Sequence, residues 1–227
     1  MTDNRNRVAI RDSGIWIAYT KRRYTILFYA LLFTLVLLPI IKTIGLPTVL
    51  VKLLLGGSLL AAVMPNATRR TRVFLFVGFL LLAGFQYAAE AAYVPVHSGL
   101  ATALFGIVGL AAAAGALRFA VSSRRVNHEV VYAALGTYLL AGLFFGQIYW
   151  SLEGLETGSI TGPDPLTEQS AVYYSFVTLA TLGYGDFLPR TDVARGVATL
   201  EVIGGQLFLA VMVARLIGAF GFERDVS

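Results

Sequence analysis

The residues with the most definite chemistry lie in one stretch, Thr178-Leu179-Ala180-Thr181-Leu182-Gly183-Tyr184-Gly185-Asp186. Between Thr181 and Tyr184 no side chain is charged, so what the stretch offers a cation is oxygen. The donors are the backbone carbonyls of Thr181, Leu182, Gly183 and Tyr184, with the Thr181 hydroxyl as a further oxygen below them. Neutral carbonyl dipoles of moderate strength suit a dehydrated cation that has to leave again, whereas a ring of carboxylates would hold it too tightly. Turning successive carbonyls toward one line requires backbone conformations that glycine enters cheaply, and Gly183 and Gly185 supply them. Tyr184 then points away from that line and braces the stretch from behind.

Such a stretch needs elements that hold it, and the composition says what kind. The chain is 57% hydrophobic and 14% charged, with a mean hydropathy of +0.72. Several runs of about 20 apolar residues match the length that spans a bilayer. The expected fold is an all-α membrane protein of six transmembrane helices, with a short re-entrant helix and the loop of this stretch between the fifth and sixth. Five spans precede the stretch, at about 24–44, 47–64, 72–94, 99–120 and 129–151, and the sixth follows it at 194–220. Residues 152–166, with Glu153, Gly154, Gly158, Gly162, Pro163 and Pro165, read as an exposed loop. Thr167 caps a short helix over 168–180 with Glu168 in its first turn. That helix is too short to span, so it is expected to re-enter the membrane under cover of protein or water. Its carboxyl end, carrying partial negative charge, would face a cation-filled cavity.

Basic residues set the orientation. Arg5, Arg7, Arg11, Lys21, Arg22 and Arg23, then Arg69, Arg70 and Arg72, then Arg118, Arg124 and Arg125 all fall on one side of the predicted spans. The opposite loops carry Glu153, Glu156, Asp164 and Glu168. The positive-inside rule makes both termini cytoplasmic in a multi-pass plasma-membrane protein. Residues 1–23 form a cytoplasmic arm, with Ile15, Trp16, Ile17 and Tyr19 suited to the interface. Orientation thus accounts for the isoelectric point of 9.6 better than nucleic acid does. With no cysteine, disulfides and thiolate metal sites are excluded, and no catalytic motif points to an enzyme or an organic cofactor. Only a few residues follow the sixth span, to Ser227, so no nucleotide- or calcium-binding module is expected there.

Thr181-Leu182-Gly183-Tyr184-Gly185-Asp186, with its flanks over 130–220, resembles the selectivity filter and pore unit of the tetrameric potassium channel family. The resemblance implies a homotetramer in the lipid membrane that conducts potassium passively, with the ion as cargo at Thr181, Leu182, Gly183 and Tyr184. It makes Tyr173 and Tyr174 an aromatic pair cuffing the filter, Thr178 a support, and Asp186 the carboxylate at the filter mouth. Counting from Asp186 puts Gly205, beside Gly204, where inner helices of the family have a hinge glycine; the alternative is close packing. Two departures stand out. Leu182 replaces the commoner valine and must pack behind the filter, and Val177 stands where some bacterial channels carry a carboxylate.

By the same resemblance residues 129–222 are the pore domain, and residues 24–121 are a four-helix domain like a voltage-sensor bundle without its gating charges. Arg118 alone lies in the fourth span, at its inner end. A steeply voltage-dependent sensor needs several charges, each worth about 2.3 kcal/mol per 100 mV. The small residues Ala111, Ala112, Ala113, Ala114 and Gly115 are expected to let that span pack closely. Lys52 and Glu90, near the outer ends of spans two and three, are read as a structural pair, with snorkelling as the alternative. Glu201, deep in the sixth span, either anchors the pore helix from behind or responds to protonation. Two other functions stay open: a non-selective cation channel, and a receptor or scaffold whose first four helices bind a partner or lipid.

Overall fold

The structure, a computed structural model, describes residues 22–44, 95–123 and 126–221, with the single positions Gly56 and Gly84. Spans two and three, most of the N-terminal arm, Lys52 and Glu90 lie outside the described residues. A chain surrounded by lipid must satisfy its backbone polar groups internally, and uninterrupted helix does so locally. The described residues accordingly form α1 (Arg23–Ile44), α2 (Pro95–Ser122), α3 (His128–Leu155), α4 (Glu168–Leu179) and α5 (Asp192–Gly221). By length and composition α2, α3 and α5 can cross a membrane, over Gly99–Ser122, His128–Leu155 and Asp192–Gly218. The remainder includes one short antiparallel ladder, β1 (Ile160–Thr161) on β2 (Leu188–Pro189).

Helices α2 and α3 form a hairpin. Asn127 caps the start of α3, its Oδ1 accepting from Val130 N at 3.0 Å. The close approach of the two helices comes from Gly106 and Gly109. A Cβ at Gly109 would overlap the Phe144 ring at 2.1 Å, and one at Gly106 would meet Phe144 O at 3.2 Å. The run Ala111–Gly115, expected to let this span pack closely, does so in part: Ala113 is buried in the core with Ala112 packed beside it, while a Cβ at Gly115 has nothing within 4 Å. Small residues permit contact, but the partner decides which of them is used, and here the partner is one phenylalanine ring.

At one end of the bundle the start of α1, the end of α2, the start of α3 and the end of α5 come together. The Glu129 carboxylate accepts from Tyr24 N at 3.0 Å and Thr25 Oγ1 at 2.5 Å, capping α1 with a side chain of α3. Tyr24 stacks on Phe119 with centroids 4.6 Å apart, and the Arg23 guanidinium lies over both rings, at 4.7 and 5.3 Å. Arg215 donates to the carbonyls of Ala120 and Ser123 at the end of α2. A guanidinium there meets carbonyls that the helix leaves free, together with the negative end of its dipole. Hydrogen bonds from a charged donor are worth about 1.5–3 kcal/mol. Arg215→Gln is therefore expected to lower the melting temperature of the purified protein, by thermal unfolding in detergent, and to loosen α2 from α5.

The loop after α3 is more ordered than its glycines and prolines imply. Helix α3 runs on to Leu155, and the Glu153 carboxylate accepts from Gly158 N at 2.8 Å and Ile160 N at 3.2 Å. Ile160 and Ser159 are buried rather than exposed, and Arg190 N donates to Ser159 O at 2.8 Å. A carboxylate that folds the loop back on itself, plus a ladder to the segment beyond the filter, corrects the expectation of an exposed loop from residue 152.

Candidate functional site

Helix α4 delivers the filter stretch, and its start is fixed by side chains. Thr167 Oγ1 accepts from Ser170 N at 3.2 Å while Ser170 Oγ accepts from Thr167 N at 2.7 Å, a reciprocal cap. Glu168 Oε1 accepts from Gln147 Nε2 of α3 at 2.9 Å. Along its length α4 lies in contact with α3 through glycines. A Cβ at Gly146 would stand 2.7 Å from Val172 Cα, and one at Gly142 would stand 2.4 Å from the Phe176 ring.

At its far end α4 passes directly into the stretch. Thr181 N donates to Thr178 O and Leu182 N to Val177 O, each at 2.9 Å. Positive φ then recurs at every second residue: Thr181 at 56°, Gly183 at 58° and Gly185 at 77°. In an ordinary strand successive carbonyls point to opposite sides. Placing alternate residues in the left-handed region turns them to the same side, as a line of cation-binding oxygens requires. For the two glycines this conformation is nearly free. For Thr181, a β-branched residue, it is a strained one, and such strain gathers at functional sites.

The candidate residues divide into three sets. All of Thr181 to Asp186 are exposed in the single chain, Leu182 at 57% and Tyr184 at 67%. Leu182, expected to pack behind the filter, therefore finds no such cover within its own subunit. Tyr173 and Tyr174 separate because neighbours on a helix point about 100° apart. Tyr173 pairs with the Asp186 carboxylate and sits edge-on to Phe187. Tyr174 turns inward, edge-on to Tyr149 with centroids 4.7 Å apart, with Thr178 near it. Of the two inner-helix glycines, a Cβ at Gly205 would lie 2.7 Å from Leu179 O, while one at Gly204 meets nothing within 4 Å.

Behind α4 Glu201 is fully buried, with Oε2 accepting from the Tyr149 hydroxyl at 2.7 Å and Oε1 standing 2.5 Å from Ser175 Oγ. Tyr149 and Ser175 were missed in the sequence, as was Gln206, whose Nε2 reaches within 3.5 Å of Thr181 Oγ1. The signal available was a polar atom inside an otherwise apolar span, which marks Gln147, Tyr149 and Gln206 alike.

The sequence profile of a family described as ion channel matches residues 133–221, from α3 through the filter stretch to the end of α5. Over 83 residues the chain is 30% identical to the provisionally named potassium channel protein YugO of Bacillus subtilis, covering 37% of this chain and 23% of that one. Over 89 residues it is 32% identical to an inward rectifier potassium channel of Paramagnetospirillum magnetotacticum, covering 37% and 28%. A provisionally named potassium channel protein of Rhodopseudomonas palustris is 39% identical over 54 residues, 24% of this chain and 13% of that one. Residues 133–221 of this chain are thus similar to an ion channel family, and to segments of proteins named as potassium channels. The matched stretches span between 13% and 28% of these relatives. No solved structure matches the chain. The matched segment covers most of α3 and all of α4 and α5, while α1 and α2 lie outside it.

Proposed function

We propose that four copies of this chain surround a potassium-selective pore, with Thr181–Gly185 as its filter and each chain contributing six spans. The observation that carries this reading is the alternation of left-handed backbone at Thr181, Gly183 and Gly185 in a stretch left bare by its own subunit. Exposed irregular backbone is not tolerated against lipid, so protein and water must cover it. One copy of the stretch supplies one side of a cage, and closure into four-fold rings of carbonyls replaces the hydration shell of potassium. Helix α5 supports the same assembly. Leu200, Ile203, Leu207 and Val211, spaced three and four apart, leave an exposed apolar stripe beside the filter.

In this assembly α3 is the outer helix, α4 the re-entrant pore helix and α5 the inner helix. The bundle end holding Arg23, Glu129 and Arg215 faces the cytoplasm, with both termini on that side of the plasma membrane. Arg215 would tie the N-terminal helices to the cytoplasmic end of the inner helix, so movement of either is felt by the other. Potassium passes as cargo, down its own gradient, without catalysis.

The test is the reversal potential of the purified protein in planar bilayers, under a potassium gradient balanced by sodium. The expected value is the potassium equilibrium potential, with block by barium. A large current reversing near zero would instead make the pore non-selective, with Leu182 the first residue to suspect.

A further inference from the structure

Three helices of one subunit meet behind the filter at the Glu201 carboxyl, and its surroundings fix its proton. Oε2 takes the Tyr149 hydroxyl of α3 at 2.7 Å. Oε1 lies 2.5 Å from Ser175 Oγ of α4, which itself lies 2.7 Å from Gly142 O of α3. Tyr138 and Tyr174 are the other titratable side chains near it, and no cation pairs with it among the described residues. A serine hydroxyl owns one proton. If Glu201 were ionised, that proton could bridge only one of the two short contacts, and the other would set two lone pairs against each other. An ionised carboxylate here would also be fully buried without a counter-charge, an expensive arrangement inside a membrane.

We infer that Glu201 is a neutral carboxylic acid that donates its proton to Ser175, and that this proton positions the pore helix. The donors then run in one direction: Tyr149 to Glu201, Glu201 to Ser175, Ser175 to Gly142 O. Every short contact has a proton, and α3, α4 and α5 are joined by one chain of bonds. Ser175 lies on the same helix as Val177 and Thr178, whose carbonyls accept from Leu182 N and Thr181 N, so the linkage ends at the base of the filter stretch. Loss of the proton, as pH rises, puts an unpaired charge between the helices and frees one of the contacts that hold α4. The consequence for conduction rests on the pore reading above; the protonation does not.

Infrared difference spectroscopy of the full chain in lipid vesicles tests the protonation directly, comparing the unaltered protein with Glu201→Gln at neutral pH. The expected result is a protonated carboxyl C=O band that shifts in heavy water and is missing from Glu201→Gln. A carboxylate band in its place would overturn the inference. If Glu201→Gln does not fold, Ser175→Ala serves instead: it removes the acceptor, so the C=O band should move to higher frequency, and an unmoved spectrum refutes the assignment. Conduction is the second readout. Glutamine keeps one donor for Ser175 and one acceptor for Tyr149, so Glu201→Gln should conduct with the unaltered reversal potential and lose the decline of current at high pH, whereas Glu201→Ala should lose current. Equal loss in both variants would overturn the positioning role, because glutamine keeps both the bulk of the side chain and a neutral donor for Ser175. Absence of current from the unaltered protein with the C=O band present would defeat the pore reading and leave the protonation standing.

Discussion

Gly183→Ala is expected to abolish potassium-selective current in planar bilayers while leaving the subunit folded and in the membrane. Within its own subunit the position is open, since a Cβ built there meets nothing within 4 Å. The effect is therefore one of backbone conformation rather than crowding. Gly183 sits at φ 58°, where an L-residue costs about 1–2 kcal/mol. In the proposed tetramer the penalty falls four times on one ring and reaches about 4–8 kcal/mol. Thr181 already bears such a cost at φ 56°, so the stretch has little tolerance for a second strained residue two positions on. Relief comes from turning the peptide back to an ordinary φ, which takes its carbonyl off the common line and removes a ring of oxygens. The control is Gly196→Ala, a helical glycine with nothing within 4 Å of its Cβ, for which unchanged current is expected. A Gly183→Ala channel that still reverses at the potassium potential would show that the alternation of φ is not what orders the carbonyls.

What the sequence disclosed, and what it did not, follows from how local each signal is. Thr167 and Glu168 announced the start of α4 because a cap and a first-turn acid act within four residues. The sixth span, read at 194–220, and α5 at Asp192–Gly221 differ by the usual fraying at helix ends. The order behind α3 was hidden because it depends on one carboxylate, Glu153, bonding backbone five and seven residues away. Tyr149, Ser175 and Glu201 were harder still. They are 26 and 52 residues apart along the chain, and no spacing rule joins residues on three different helices. Composition does say that an acid in an apolar span needs partners, which is why Glu201 was singled out alone. The small-residue run at Ala111–Gly115 was legible only in part: Ala113 is buried in the core, but the closest approach falls at Gly109, where Phe144 of α3 decides the place. The strained φ of Thr181 was also invisible, because the motif carries glycine only at Gly183 and Gly185.

The two inner-helix glycines, read together as hinge or packing residues, should respond oppositely to alanine. Both are helical, so each substitution gains roughly 0.5–1 kcal/mol from reduced backbone freedom in the unfolded chain. At Gly204 nothing in its own subunit lies within 4 Å of the added methyl, and Gly204→Ala is expected to raise the melting temperature of the subunit. At Gly205 the methyl would lie 2.7 Å from Leu179 O and 2.9 Å from Leu179 Cδ1. The side chain could turn aside, but the carbonyl belongs to the last turn of α4, immediately before the filter stretch. Overpacking of this kind costs about 1–3 kcal/mol, which outweighs the propensity gain. Gly205→Ala should therefore lower the melting temperature and shorten the life of the conducting state, because the strain is delivered to the pore helix. A hinge role predicts another pair of results: both variants more stable, both opening less often. Thermal unfolding in detergent, with open probability from single channels in bilayers, separates the two. A Gly205→Ala protein that melts higher than the unaltered one would remove the packing account, and would leave bending of α5 as the reason for glycine at this position.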